Sequence, residues 1–232
     1  MAGRGEAVDL NCLIDNIRRT LPEAQLVATP LPLCPQIELY LIDPDNMQRA
    51  FATDEIRTIL ANTPYWIFCW ASGQALACYL LQHKERFSSR HILDFGSGSG
   101  VVAIAAALAG AVRVVACDID PDALEAVRAN AALNRVEVAT CATLAQLTES
   151  FDLIIAADVL YDRENFHYLE EFLALAPEIL VADSRVSSLE LPPYRRIAEL
   201  TATTLPDLEE PGEFRRIGIY QSRPKGGTLN PP

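Results

Sequence analysis

The chain has 232 residues, half of them hydrophobic, which is enough for one large α/β domain with some additional elements. Its formal charge of −12 at pH 7 argues against a DNA or RNA partner, whose backbone is anionic, and favours a basic or cationic one. No unbroken apolar run reaches membrane-spanning length, and the N-terminus lacks the charged-then-apolar layout of a secretion signal, so we expect neither membrane insertion nor export.

The cysteines are scattered, with no C-x-x-C pair and no nearby histidine. They are Cys12, Cys34, Cys69, Cys78, Cys117 and Cys141. Several lie in apolar runs, which is typical of buried thiols in a reducing compartment. We therefore expect a cytoplasmic protein without a metal site.

Residues 1–88 are predicted to form an N-terminal α/β extension with lead-in helices. Its expected elements, in chain order, are a helix over 10–21, a proline-bounded connector over 30–35, a strand over 37–42, a helix over 53–62 capped by Thr53, an extended aromatic segment over 64–70, and a helix over 72–83.

Residues 89–223 are predicted to form the core, in which strands and helices alternate. The predicted strands are 91–95, 112–117, 136–139, 151–157 and 179–182, and the predicted helices are 100–109, 121–133, 162–176 and about 187–198. This alternation indicates a parallel sheet with helices on both faces. Two further strands, over 199–204 and 214–221, would close the domain as a β-hairpin, and residues 224–232 are expected to be a loose tail.

The stretch 91–100 is the most informative part of the core. An apolar strand ends near Asp94, and the loop Gly96-Ser97-Gly98-Ser99-Gly100 leads into a helix. Glycines permit positive φ and close approach of a ligand, and the following helix directs free N–H groups into the same space. Asp94, Gly96, Ser97, Gly98 and Gly100 are therefore candidate cofactor-binding residues.

The residue sequence of this loop excludes two common kinds of nucleotide-binding site. A dinucleotide fingerprint needs glycine at the sixth loop position, where this chain has Val101, and no Lys-Ser or Lys-Thr pair follows as in a phosphate-binding P-loop. Asp94 would also repel a pyrophosphate. An acid followed by Gly-x-Gly-x-Gly resembles motif I of the Rossmann-like S-adenosylmethionine-dependent methyltransferases, which implies that cofactor and its product S-adenosylhomocysteine. A flexible turn without a ligand is the alternative.

A second candidate lies at the end of the next strand. Asp118 follows the glycine loop at the interval where nucleotide-binding folds place a ribose-binding acid, and its carboxylate can accept both ribose hydroxyls. We include the adjacent Ile119 in the same cofactor site. Asp120, followed by Pro121, is predicted to cap the next helix instead.

The acceptor side is predicted from the sequence Asp158-Val159-Leu160-Tyr161, which follows the fourth core strand. Many methyltransferases that act on adenine, cytosine or glutamine amides carry Asn/Asp-Pro-Pro-Tyr/Phe at this position, and cytosine C5 chemistry would want a Pro-Cys. This chain resembles neither pattern, because it has no proline here. The comparison therefore argues against a planar amide or nucleobase nitrogen, and against cytosine C5, as the acceptor. Asp158-x-x-Tyr161 resembles the post-strand motif of the seven-β-strand protein-lysine methyltransferases. Residues 64–81, with the block Trp70-Ala71-Ser72-Gly73-Gln74, and residues 94–107 are similar to the enzymes that methylate the β-subunit of electron-transfer flavoprotein.

This resemblance implies a Rossmann-like, seven-stranded methyltransferase sheet with an antiparallel last strand. It also implies a protein substrate with an accessible lysine, of the electron-transfer flavoprotein β-subunit type. Asp158 and Tyr161 would shape the acceptor pocket, with Asp158 also near the cofactor, and Trp70 would cover the cofactor. The sequence Asp183-Ser184-Arg185 departs from the family pattern after the fifth strand.

Two other interpretations remain open from the sequence. A small-molecule amine or pyridine N-methyltransferase, such as one acting on nicotinamide, would share the cofactor chemistry and differ only at the rim of the site. A non-catalytic binding protein on the same fold is the second, against which the joint presence of Asp94, the glycine loop and Asp118 argues. Trp66 is as well explained by anchoring the N-terminal extension as by binding a ligand.

Overall fold

A seven-stranded mixed sheet organises the chain. The computed structural model describes residues 10–47, 52–186, 189 and 192–222. The strand order is β5-β4-β3-β6-β7-β9-β8. The strands are β3 (His91–Phe95), β4 (Arg113–Cys117), β5 (Ala139–Cys141), β6 (Leu153–Ala157), β7 (Glu178–Asp183), β8 (Tyr194–Thr201) and β9 (Arg216–Ser222). Strands β3 to β7 are parallel, and β9 lies antiparallel to both β7 and β8, so the predicted antiparallel last strand is confirmed.

The N-terminal part adds a separate two-stranded antiparallel sheet of β1 (Leu26–Pro30) and β2 (Glu38–Ile42). The helices of the chain are α1 (Leu10–Arg18), α2 (Thr53–Ala61), α3 (Ala71–Gln82), α4 (Lys84–Phe87), α5 (Val101–Leu108), α6 (Pro121–Leu133) and α7 (Tyr168–Leu175). None of these helices, over the described ranges, has both the length and the apolar character needed to cross a bilayer.

Helices cover both faces of the sheet, as the alternating pattern predicts. Neighbouring side chains of β3 point to opposite faces, so Ile92 joins a buried cluster with α3 and α5, whereas Leu93 joins another with Phe172 of α7. Both side chains are fully buried. The central strands therefore read as continuous apolar runs because each face is covered.

The predicted helix over 187–198 is wrong in its described part. Tyr194–Thr201 forms strand β8, although Tyr194, Ile197 and Leu200 recur at a spacing of three, which resembles a helical pattern. The register shifts between Arg196 and Ala198, where β8 pairs with β9. This β-bulge interrupts the period of two that identifies a strand in a sequence. Residues 187, 188, 190 and 191 lie outside the described part, as does the expected loose tail over 224–232.

Four smaller differences from the predicted elements are also found. The third core strand is Ala139–Cys141 rather than 136–139, and the strand over 26–30 has no counterpart among the predicted elements. Thr53 is the first residue of α2 and not its cap, because Ala52 takes the cap position and its N–H donates to Glu55 Oε2 at 2.8 Å. The aromatic segment is not fully extended, since residues 65–67 form a 3₁₀ turn.

The N-terminal extension packs directly against the core. Leu13 and Ile17 of α1 share a buried cluster with Ala126 of α6. Asn130 of α6, which is fully buried, accepts a hydrogen bond from Tyr40 N at 2.7 Å and donates one to Ser99 O at 2.8 Å. One amide therefore connects strand β2 with the glycine loop. The boundary between extension and core at residue 88 stays a prediction.

Candidate active site

The glycine loop between β3 and α5 has the backbone that its sequence demands. Gly96, Gly98 and Gly100 all have positive φ, at 67°, 49° and 81°. A Cβ on Gly96 would lie 2.7 Å from Val159 Cγ1, whereas a Cβ on Gly98 would meet no described atom within 4 Å. Packing and conformation both require glycine at position 96. At position 98 the positive φ favours glycine, and the space where a Cβ would lie is open.

Asp94 lies beneath this loop with only 1% of its surface exposed. Its Oδ2 accepts a hydrogen bond from Ala103 N in α5 at 2.9 Å. Burial, partly offset by that bond, raises the pKa of the Asp94 carboxyl to about 8. The carboxylate also borders a cavity that Trp70 and loop residues 96–99 line. A cation in this cavity would therefore relieve the cost of ionising Asp94.

Ser97 adds an unsatisfied polar atom to the same cavity. Its side chain is 6% exposed, and its Oγ has no hydrogen-bond partner among the described residues. Buried hydroxyl groups in folded proteins are almost always paired with protein or water. The hydroxyl is therefore available to a polar group in the cavity.

Asp118 is placed beside the loop, as its sequence position predicts. Its Oδ2 accepts a hydrogen bond from Gly98 N at 2.8 Å, and its Oδ1 accepts one from Asp120 N at 3.0 Å. Burial raises the pKa of the Asp118 carboxyl. Asp120 caps α6, since its Oδ1 accepts from Asp122 N at 2.8 Å, and the structural role predicted for it is confirmed. Ile119 is 87% exposed.

A carboxylate that directly follows a strand is expected to cap the helix that comes next in the chain. Asp158 instead accepts hydrogen bonds from a helix that precedes it by 86 residues. It has a φ of 53° and receives the N-terminus of α3. Its Oδ2 accepts from Ser72 N at 3.0 Å, and its Oδ1 accepts from Ser72 Oγ at 2.6 Å and from Ser184 Oγ at 3.1 Å. Burial, with a smaller contribution from the nearby Asp183, raises the pKa of the Asp158 carboxyl to about 6, although these hydrogen bonds lower it. Asp158 thus caps a helix from another part of the chain.

The residues of the block Ala71-Ser72-Gly73-Gln74 are explained by the contacts that the N-terminal part of α3 makes with the rest of the chain. A Cβ on Gly73 would lie 2.9 Å from Val101 Cγ1, so glycine allows α3 and α5 to pack closely. Gln74 is 1% exposed, accepts from Leu33 N and donates to Thr203 O, both at 3.0 Å. Sequence reasoning did not assign roles to Ser72, Gln74 or Ser184. The signal was present in α3, where polar residues interrupt an otherwise apolar helix.

A chain of aromatic rings leads from the cavity to the surface. Trp70, which lines the cavity, lies with its ring centroid 6.0 Å from that of Tyr65, and Tyr65 lies 5.9 Å from Tyr161. Trp66 is 2% exposed and packs in the cluster of the N-terminal extension, in agreement with the anchoring interpretation. Trp70 is therefore the tryptophan that reaches the site.

Known proteins resemble this chain over most of its length. The family described as Ribosomal protein L11 methyltransferase (PrmA) matches residues 74–162. The electron transfer flavoprotein beta subunit lysine methyltransferase of Danio rerio is 34% identical over 202 residues, which cover 83% of this chain and 77% of that protein. The Mus musculus protein of the same name is 35% identical over 157 residues, 66% of this chain and 60% of that protein.

The chain belongs to the electron transfer flavoprotein beta subunit lysine methyltransferase family. Among solved structures, a ribosomal protein L11 methylase from Lactobacillus delbrueckii subsp. bulgaricus is 25% identical, with a TM-score of 0.51 over 66% of this chain and 78% of its own. A magnesium protoporphyrin IX methyltransferase from Synechocystis PCC 6803, solved with bound SAM, has a TM-score of 0.51 at 18% identity over 66% of this chain and 80% of its own, which supports the fold. The predicted methyltransferase fold and family are confirmed.

Most of the predicted site residues of this family member converge on one region. Asp94, Ser97 and Trp70 line one cavity with Gly96 and Gly98. Asp118 binds the loop that forms its floor, and Asp158 binds the helix that follows Trp70. The parallel strands β3, β4 and β6 end side by side, which brings Asp94, Asp118 and Asp158 to one edge of the sheet.

Proposed function

We propose that this chain is an S-adenosylmethionine-dependent N-methyltransferase that methylates lysine side chains of a protein, of the electron-transfer flavoprotein β-subunit type. The observation that carries the proposal is the cavity above the glycine loop. In it a buried acid with a raised pKa and an unpartnered serine hydroxyl face the same space, in a chain of this family.

The residues present fit S-adenosylmethionine, which carries an ammonium, a carboxylate, a ribose and a sulfonium. Asp94 would hold the ammonium, and the free Ser97 Oγ would donate to the carboxylate. Asp118 would accept from the ribose hydroxyls, with Ile119 beside it for the base. Trp70 would offer its indole face to the sulfonium or the base. Gly98, beside which the space is open, would let the cofactor approach the backbone, and Gly96 and Gly100, which pack against Val159 and Val127, would hold the loop in its turn.

When bound, the cofactor supplies a methyl group on sulfur that is already activated for displacement. The remaining task of the protein is to orient the amine and exclude water. A lysine side chain with a pKa near 10.4 is neutral in only about one molecule in 10³ at pH 7, so its ammonium has to lose a proton. Desolvation beside the Tyr161 ring would favour that loss.

Asp158 would hold the incoming ammonium. Its pKa of about 6 leaves it ionised at neutral pH, and its Oδ2 accepts a bond from Ser72 N alone among the described residues. That oxygen therefore keeps a lone pair for the acceptor nitrogen. Tyr161, which is 58% exposed, would form the outer wall and could accommodate an acceptor on a large protein.

The test compares protein and small-molecule acceptors. The purified enzyme is incubated with radiolabelled S-adenosylmethionine and either Danio rerio electron-transfer flavoprotein β-subunit, a cell lysate or nicotinamide. We expect label in the β-subunit, on lysine. Label that enters only the small-molecule fraction would support the pyridine or amine N-methyltransferase instead. Cofactor binding without any transfer would support a non-catalytic binding protein.

Gly98→Ala is expected to separate cofactor binding from stability. A left-handed φ at alanine costs about 1 kcal/mol of folding stability, and the added methyl group meets no described atom. It would, however, project where the cofactor has to approach the backbone. We therefore expect at least a tenfold weaker affinity for S-adenosylhomocysteine in isothermal titration calorimetry.

Gly110→Ala is the matched control, because Gly110 also has a positive φ (90°) but lies beyond the far end of α5. It should lose more stability than Gly98→Ala, because its added methyl group would also lie 3.2 Å from Ser88 Oγ, and yet keep wild-type affinity. Equal affinities of the Gly98→Ala and wild-type proteins would contradict a cofactor site on this loop.

The remaining expectations from the sequence stay part of the proposal. The charge of −12 supports a basic protein partner over nucleic acid. The six cysteines are free thiols, as suits the cytoplasm. A cytoplasmic location, the absence of a resident metal, and the absence of membrane or nucleic-acid partners are therefore retained as proposals.

A further inference from the structure

Two exposed tyrosines face each other beyond Trp70, on the side of Trp70 where Tyr65 lies. The Tyr65 and Tyr161 ring centroids are 5.9 Å apart with an interplanar angle of 39°, and the side chains are 48% and 58% exposed. Among the described phenylalanine, tyrosine and tryptophan residues, they are the exposed ones. They come from separate parts of the chain, Tyr65 from the lead-in segment and Tyr161 from the loop after β6.

Buried neighbours hold the backbone at both tyrosines. Tyr65 stands between Pro64 and the 2% exposed Trp66, and its carbonyl accepts from Trp70 Nε1 at 3.0 Å. Tyr161 follows Val159 and Leu160, which are 6% and 4% exposed. Since the core holds the backbone beside each tyrosine, the fold brings the two rings together at this surface.

The electrostatic environment of the two rings suits a cation. The pKa of the Tyr161 hydroxyl is raised by burial first, and then by Tyr65, Asp162 and Asp118. The carboxylates of Asp118 and Asp162 therefore act at the Tyr161 hydroxyl, and the faces of aromatic rings attract cations. An ammonium group on a flexible apolar stem matches this surface better than a neutral or anionic group.

We propose that Tyr65 is an acceptor-side residue which, with Tyr161, forms the two-ring wall of a port, and that the cationic side chain of the substrate enters along this wall. The inference rests on the proposed function, because it names a second wall of the acceptor site. Trp70 lies 6.0 Å from Tyr65 and lines the cofactor cavity, so the port leads towards the place of methyl transfer.

The test uses Tyr65→Leu and Tyr65→Phe in the full-length enzyme. Leucine keeps apolar bulk without a π face, whereas phenylalanine keeps the ring and removes only the hydroxyl. We expect Tyr65→Leu to raise KM for the electron-transfer flavoprotein β-subunit at least fivefold with a smaller change in kcat. Tyr65→Phe should stay within twofold of the wild type. Affinity for S-adenosylhomocysteine should stay within twofold in both variants.

A second measurement is independent of the protein substrate. Binding of n-hexylamine to the complex of enzyme and S-adenosylhomocysteine is followed by NMR titration, with n-hexanol as the neutral control. We expect the wild type to bind the amine more tightly than the alcohol, and Tyr65→Leu to lose this preference. If the amine binds in this way but the β-subunit is not methylated, the port stands and the proposed protein substrate fails.

Three results would overturn the port. The first is that Tyr65→Leu matches the wild type in KM and in amine binding. The second is that its affinity for S-adenosylhomocysteine falls in parallel with its activity, which would assign the ring to the cofactor site. The third is that the wild type neither methylates the β-subunit nor prefers the amine over the alcohol.

Discussion

Asp94→Asn is expected to stabilise the folded protein and to weaken cofactor binding at least tenfold. The carboxyl is 1% exposed, and burial raises its pKa from an ordinary value of 3.8 to about 8. Between these two values the folded chain holds a proton that the unfolded chain has lost. The contribution of Asp94 to stability is therefore fully present below pH 4 and is lost as the pH rises through 8.

Each pH unit in that window changes the free energy of unfolding by about 1.4 kcal/mol. The uncharged asparagine avoids this loss but has a cost of burial of its own. We therefore expect the variant to be more stable than the wild type at pH 8 by on the order of 2 kcal/mol. Asparagine can still accept from Ala103 N through its side-chain oxygen. It cannot attract an ammonium as a carboxylate does. Wild-type affinity for S-adenosylmethionine should accordingly rise with pH up to about 8, as Asp94 ionises, and the variant should lose that dependence.

Urea unfolding at pH 6 and pH 8, with calorimetric titration at the same pH values, would check both parts. Asp183→Asn is the contrasting control. Asp183 is also 1% exposed, but its carboxylate accepts backbone N–H bonds from Leu160, Arg185 and Val186. An amide cannot accept all three, so this change should destabilise the protein. If Asp94→Asn binds the cofactor as tightly as the wild type, the assignment of Asp94 fails.

Asp158→Asn is expected to lower kcat/KM by about 100-fold or more while the protein stays folded. Asparagine tolerates the left-handed φ of 53° at this position, so the backbone should be kept. The amide removes the negative charge that we assign to binding the acceptor ammonium, an effect of the size seen for positioned acid–base groups. It also places a donor beside Ser72, whose N–H and hydroxyl both donate to the native carboxylate.

The dependence of kcat/KM on pH distinguishes the effect of the Asp158 charge from the effect of its hydrogen bonds. Because burial raises the pKa of Asp158 to about 6, wild-type kcat/KM should fall as the pH drops through 6, where the carboxylate becomes protonated. The asparagine variant should lack that limb of the profile. Ser72→Ala removes one bond to Asp158 and keeps its charge, so it should reduce activity by less than tenfold. A folded Asp158→Asn protein with near wild-type turnover would refute the role of this carboxylate.

Local sequence determined the cofactor side of the site. The strand, acid and glycine loop over 91–100, and Asp118 one β-α unit later, lie next to each other because chain geometry alone brings successive parallel strands to the same sheet edge. Buried strands and amphipathic helices have a regular spacing of apolar residues, so most element positions were predictable from the sequence. The strand β8 was not, since its bulge breaks that spacing.

The tertiary structure decided the acceptor side. Ser72 and Asp158 are 86 residues apart in the chain, and only the packing of α3 against the sheet shows that this carboxylate caps that helix. The facing of Tyr65 and Tyr161, the choice of Trp70 over Trp66 at the cavity, and the unpartnered Ser97 Oγ also depend on distant contacts. A sequence pattern reports what each residue prefers locally. Which side chains meet across the sheet edge is fixed by the close packing of the whole core.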